Sequence, residues 1–234
     1  MKKLFFVFQF LFLFCFFSEA QSKKIALKHV NAINISSSFE LFIKQGDAES
    51  IEVSASNEEY LDKINVTIEN GEVIIRYDNQ KSFWLGWNSD RLNLKAVVTL
   101  KNLEKLTTSG ACNTYFEEGI NVENLSINVS GASDVKGNLT VKNLNVEMSG
   151  ASDVLLSGSV SNLKVNVSGA SDFKGYNLNA DYCNSKLSGA ASAKISVNKE
   201  LTANASGASS VKYIGSGIIR DIKMSGASSI SRKS

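Results

Sequence analysis

From residue 106 onward the apolar positions recur in a fixed frame. Leu125, Ile127 and Val129 alternate with polar residues and run into Gly131; Leu144, Val146 and Met148 run into Gly150; Leu163, Val165 and Val167 run into Gly169. The columns continue as Cys183, Ser185, Leu187, then Leu201, Ala203, Ala205, then Arg220, Ile222, Met224. A period of two means extended strands, with these columns turned into a core and Asn128, Glu147, Asn166 and Lys186 turned out to water. After each glycine a second apolar column follows: Val135, Val154, Phe173, Ala193, Val211 and Ile230. Each unit therefore holds at least two inward-facing strands around a glycine bend. No 3.6-residue pattern competes.

The bend is the tripeptide Ser-Gly-Ala, which occurs seven times, with glycine at 110, 131, 150, 169, 189, 207 and 226. The intervals are 21, 19, 19, 20, 18 and 19 residues. A constant period near twenty marks a solenoid, whose units bury their cores only by stacking on one another. The prediction is an all-β parallel β-helix with coils of about 19 residues and rungs ~4.8 Å apart. Gly110, Gly131, Gly150, Gly169, Gly189, Gly207 and Gly226 are then structural corners, where the backbone conformation or a close approach excludes a Cβ. The serines before them can hydrogen-bond locally or along the stack.

Residues 21–105 are β-like but outside this period. Ile33, Ile35, Phe39, Leu41 and Ile43 alternate up to Gly46, and Ile51 with Val53 follows. Residues 64–77 contain Asn70-Gly71, the preferred two-residue hairpin turn. Pairing across it sets Ile68 opposite Val73, Val66 opposite Ile75 and Ile64 opposite Tyr77, so that every pair is at least partly apolar. The expectation is one continuous domain. Irregular first coils and the hairpin form 21–105, the hairpin covers one end of the stack, and regular repeats fill 106–234.

The first twenty residues stand apart. Lys2 and Lys3 precede an apolar run to Phe17, and Ser18-Glu19-Ala20 follows, as in a secretory signal cut after Ala20. Eight of the thirteen phenylalanines lie there. No later stretch is apolar enough to cross a bilayer. The formal net charge is only +2, with no basic tail, so nucleic acid is not an expected partner. The chain has no proline, which suits backbone N–H groups committed to ladders. Its one histidine, His29, removes histidine metal clusters and makes triad catalysis a poor fit.

Three features could carry chemistry. Asp134, Asp153 and Asp172 share one column, which could hold calcium through several carboxylate oxygens. Lys136 and Lys174 lie two residues further on the same face, and a solvated charge ladder is the simpler reading. Trp84 and Trp87, in the segment Phe83-Trp84-Leu85-Gly86-Trp87, could stack on sugar rings or contact a partner; packing over the coil is the competing role. Cys112 and Cys183 sit more than three rungs apart, too far for a disulfide, and Cys183 replaces leucine in an inward column.

The Ser-Gly-Ala-Ser-Asp units, the lead-in Phe39-Glu40-Leu41-Phe42-Ile43-Lys44-Gln45-Gly46 and the signal-like start resemble the putative auto-transporter adhesin head (GIN) domain family of exported Bacteroidetes-like proteins. The resemblance covers roughly residues 30–230. It implies a right-handed single-stranded β-helix and an adhesin-like role, and it supplies no catalytic residues and no cofactor. The expected function is a non-enzymatic binding module of the cell envelope, in the periplasm, on the outer membrane or outside the cell. A glycan or an envelope protein would be its partner. Two alternatives are a polysaccharide lyase or hydrolase, for which Asp134, Asp153 and Asp172 would be the available acids, and a self-assembling structural protein, consistent with a homo-oligomer.

Overall fold

The computed structural model describes residues 21–78 and 92–233. Its strands are β1 (Gln21–Ala26), β2 (Ala32–Ile35), β3 (Glu40–Gln45), β4 (Ser50–Ala55), β5 (Ile64–Glu69), β6 (Glu72–Tyr77), β7 (Lys95–Leu100) and β8 (Lys105–Thr108). The long strands β9 (Asn113–Val129), β10 (Asp134–Met148), β11 (Asp153–Val167), β12 (Asp172–Leu187) and β13 (Ser192–Ala205) follow. The last three are β14 (Ser210–Ile214), β15 (Ile218–Met224) and β16 (Ser229–Arg232), and one short helix, α1 (Glu58–Leu61), joins β4 to β5. Together they form the expected parallel β-solenoid, of about seven turns.

Parallel register carries the sequence columns from rung to rung. Val135 lies beside Val154, then Phe173, Ala193, Val211 and Ile230. Leu125, Leu144, Leu163, Cys183 and Leu201 stack in the same way, and all five are buried. Each long strand bends, and burial resolves three walls per coil. In β10 the first wall is 134–137, the second is the short stretch holding buried Leu139 and Val141, and the third runs through Leu144, Val146 and Met148. The sequence pattern had shown the first and third.

The Ser-Gly-Ala corner explains the glycine column twice over. Gly150 has φ +80°, and a Cβ there would press into the Gly131 carbonyl oxygen and lie 3.0 Å from its nitrogen. The corner is closed along the stack by Ala151 N–H donating to Gly131 O at 2.8 Å. A second device is the serine after alanine. Ser133, Ser152, Ser171 and Ser209 are buried, and the Ser152 and Ser209 hydroxyls each donate at 2.8 Å to the carbonyl three residues back. Cys112 fills this position in the first repeat, its Sγ 3.3 Å from Ser109 O. Some serines before glycine bond along the stack as anticipated, Ser168 Oγ to Met148 O at 3.0 Å and Ser206 Oγ to Leu187 O at 3.2 Å.

The first rungs are laid out of chain order. β2 lies between β6 and β8, and β3 between β7 and β9, so the coil of residues 32–45 is sandwiched between two later ones. Ser37, with φ 96°, stands in the glycine column beneath Gly110. The 64–77 hairpin has the anticipated register. It covers the end of the third wall by extending the sheet rather than as a lid over the core: β6 is itself a rung on β2, and β5 finishes that wall as an antiparallel edge. The buried side chains Val73 and Ile75 fit the inward column next to Ile33 and Ile35, which favours this placement. On the first wall β4 and β1 add antiparallel strands beyond β7. A correction falls in the last rung. Arg220 is not in the inward column; a register shift sets Ile219 beside Leu201 and leaves Arg220 reaching Glu200 at 3.0 Å.

Candidate functional site

Outward positions of the third wall form two polar columns. Ser126, Asn145, Lys164, Asn184 and Thr202 make one; Asn128, Glu147, Asn166, Lys186 and Asn204 make the other. The inward residues between them are apolar apart from Ser185, and the pleat turns the two outward columns to one face. That face is concave. Two adjoining hollows of about 560 and 730 Å³ lie on it and share Lys164 and Asn184.

One rim of the groove is an amide ladder at the bend between the second and third walls. Asn143 Nδ2 donates to Asn124 Oδ1, and Asn162 Nδ2 to Asn143 Oδ1, both at 2.8 Å. In the next rung Tyr182 takes the asparagine position, 45% exposed, with Lys199 Nζ 5.5 Å from its ring centre. The opposite rim is the corner itself, through Ser130, Ser149, Ser168 and Ser188.

The charges in the groove are unequally partnered. Glu104 accepts from the amides of Asn31 at 2.9 Å and Asn102 at 2.8 Å, Glu200 pairs with Arg220, and Glu147 accepts from Asn145 at 3.4 Å. Lys164 and Lys186 have no carboxylate partner among the described residues. The groove thus presents two lysines without a carboxylate partner on an amide-rich floor, with Glu104 and Glu147 held by neutral amides.

The aspartate column lies on a different wall. Asp134, Asp153 and Asp172 stack in register, and each is engaged by lysine: Lys136 on Asp134 at 3.2 Å, Lys174 on Asp153 at 2.9 Å and on Asp172 at 3.6 Å, Lys194 on Asp172 at 3.6 Å. The hydrogen bond to Asp153 raises the Lys174 pKa above its ordinary value. Among the described residues no group of three or more His, Cys, Asp and Glu side chains is disposed to hold a metal ion. Cys112 and Cys183 are both buried and free, and burial pushes the Cys183 thiol up to about 12. Trp84 and Trp87 lie outside the described residues, as do residues 1–20.

The groove was only half visible in the sequence. Asn128, Glu147, Asn166 and Lys186 were read as outward, but Lys164, Tyr182 and the Asn124–Asn143–Asn162 ladder were not singled out. The available signal was asparagine recurring at the 19-residue period, at 124, 143 and 162.

A family model described as "Putative auto-transporter adhesin, head GIN domain" matches residues 29–217. Among curated proteins no sequence matches the chain. Several solved structures share the fold. A "putative adhesin" from Bacteroides fragilis aligns with TM-score 0.84 at 21% identity, covering 92% of this chain and 97% of that one. A "putative adhesin" from Parabacteroides merdae gives TM-score 0.70 at 17% identity, with 92% and 96% covered. A "putative lipid binding protein" from Parabacteroides distasonis gives TM-score 0.66 at 19% identity over the same shares.

Proposed function

The chain belongs to the auto-transporter adhesin head GIN domain family, and we propose that it is an exported, non-enzymatic binding module that holds an extended acidic glycan along its third wall. The observation that carries this reading is the groove in which each acid has a donor while Lys164 and Lys186 have no carboxylate partner. A carboxylate-bearing polysaccharide would bring acid groups to Lys164 and Lys186, and the asparagine amides offer donors and acceptors to hydroxyls. Rungs ~4.8 Å apart repeat these groups along the axis, so a repeating polymer gains by engaging several rungs together. Exposed Tyr182 offers an aromatic face at the rim, the surface on which a sugar ring stacks.

Two further observations favour binding over hydrolysis. The aspartates suggested as catalytic acids lie on another wall, and each of them is held by lysine. Export rests on the signal-like residues 1–20 and on the family; no helix among the described residues is long and apolar enough to cross a membrane.

The test is binding of uronate-bearing polysaccharides against neutral ones of the same linkage, by calorimetry at low and high salt. The Lys164→Ala, Lys186→Ala double variant should weaken binding about tenfold, as expected for two exposed charge contacts, and flatten the salt dependence. Equal binding by the double variant removes the groove from the site. Release of reducing ends or unsaturated products overturns the non-enzymatic reading.

A further inference from the structure

The two ends of the solenoid are finished differently. At the N-terminal end the walls stop in antiparallel strands, β1 on β4 and β5 on β6, and Tyr60 and Leu61 of α1 and its end pack against the core. β1 presents Lys23 and Lys24 on its exposed edge strand, a common way of discouraging further pairing. At the other end β15 pairs with β13 alone, so its far edge of N–H and C=O groups has no strand partner among the described residues. Ile218, Ile219 and Met224 there are 67%, 46% and 56% exposed, whereas Leu201 and Ala205, one rung in, are buried. The adjacent edge strand, β16, pairs with β14 alone; its last residues turn back into the stack, with the Arg232 guanidinium donating to Gly215 O and Lys233 Nζ 5.0 Å from the Tyr176 ring centre.

We infer that β15 is a self-association edge, and that two copies of this chain join tail to tail by antiparallel pairing of β15 with β15 of the second copy. The charges choose the occupant. β15 reads Ile218-Ile219-Arg220-Asp221-Ile222-Lys223-Met224, with Asp221 and Lys223 in the outward row beside Thr202 and Asn204. A two-fold axis at Ile222 sets Asp221 opposite Lys223 of the second copy, and Lys223 opposite its Asp221. Lys223 Nζ already reaches Asp221 within the chain at 3.4 Å, and the antiparallel register, which keeps outward residues outward over 221–223, sets the same pair of charges across the axis. Pairing also covers Met224 and Ile222 and satisfies the free backbone edge. Such an isologous contact closes after two copies, and the antiparallel strands at the far end oppose head-to-tail growth. Because β15 belongs to the third wall, the joined sheet carries the grooves of both copies on one continuous face. The pairing stands independently of what the groove binds.

Sedimentation velocity of the purified exported chain over a wide concentration range tests this. A monomer–dimer equilibrium is expected, with slowed hydrogen exchange in β15 as the dimer fills. Asp221→Lys puts lysine opposite Lys223 of the second copy and should raise the dissociation constant at least about tenfold. Asp221→Lys combined with Lys223→Asp restores the complementary pairs and should restore the dimer. Both positions are exposed, so neither variant threatens the fold. A monomer at every concentration, an Asp221→Lys variant that dimerises as well as the parent, or species that grow beyond two copies would each overturn the inference.

Discussion

Replacing Gly150 by alanine tests the corner that makes the solenoid possible. Two penalties add. The first is conformational: φ is +80°, where an L-residue costs ~1–2 kcal/mol. The second is steric, because the new methyl group would press into the Gly131 carbonyl oxygen and lie 3.0 Å from its nitrogen, which is backbone and cannot swing aside. Relief requires the rungs to separate locally, which stretches the 2.8 Å bond from Ala151 N–H to Gly131 O and forfeits part of its net ~0.5–1.5 kcal/mol. The expected loss is ~2–4 kcal/mol, at the upper end of ordinary point substitutions. The structure supplies its own controls. At Gly207 the corresponding Cβ would sit 2.8 Å from Gly189 O, a looser approach than at Gly150, so Gly207→Ala should cost visibly less. Gly46 has no positive φ, and its added Cβ would meet only the Thr99 Cγ2 methyl at 3.2 Å, so Gly46→Ala should stay within ~1 kcal/mol of the parent. Urea unfolding followed by far-ultraviolet circular dichroism, with slopes compared across the three variants, gives the ranking. If Gly150→Ala lost no more than Gly46→Ala, the close approach of stacked corners would not be what the glycine column provides.

Other substitutions probe the core, the charge ladder and the unassigned aromatic segment. Ser185 is fully buried with no hydrogen-bond partner in a column otherwise held by Val165 and Ala203, so Ser185→Ala should stabilise by ~1 kcal/mol, and a loss in urea unfolding would show that its hydroxyl is satisfied. Cys183 is raised from 9.0 to about 12 by burial; a folded value above the unfolded one means its contribution is intact below pH ~8.5 and is lost as pH rises toward about 12. Stability of the parent relative to Cys183→Ala should therefore fall by up to ~1.4 kcal/mol per pH unit above that point, and a pH-independent difference would contradict the assignment. Lys174→Met removes two solvent-screened contacts, to Asp153 and Asp172, and should shift the unfolding free energy by less than ~1 kcal/mol; a larger loss would mean that the ladder holds the first wall together. Trp84→Ala with Trp87→Ala asks whether that segment touches ligand, through a drop in glycan affinity or none.

The regular coils were legible because the inward alternation, the corner and the period all repeat. Register across the Asn70-Gly71 turn was legible for the same reason: only one pairing puts Ile64, Val66 and Ile68 opposite Tyr77, Ile75 and Val73. The order of the first rungs was not. Ile33 and Ile35 of β2 would satisfy an inward column beside any neighbour, so nothing local distinguishes a coil placed first from one slipped between β6 and β8. That choice is made by non-local pairing, as is the bulge that removes Arg220 from the column. The second wall escaped notice because only two inward residues mark it, as with Leu139 and Val141, and two alternations cannot be told from chance.

The outward columns follow a different rule, and it separates scaffold from function. In a parallel stack, identical charges would stand ~4.8 Å apart and repel, whereas an amide donates to one neighbour while accepting from the other. Asparagine ladders are therefore the resting solution, as in Asn124, Asn143 and Asn162. Where lysines do stack, as Lys174 and Lys194, the aspartates beside them supply the counter-charge from within the chain. Lys164 and Lys186 follow neither solution. Lys164 stands between Asn145 and Asn184, and Lys186 between Asn166 and Asn204; each is insulated from like charge and neither is neutralised by a carboxylate. The folding period does not require a cation at either position, which is why the proposed function rests on these two lysines. The informative residues on a solenoid surface are those that break the ladder, and here they sit together in the one groove that runs along the third wall.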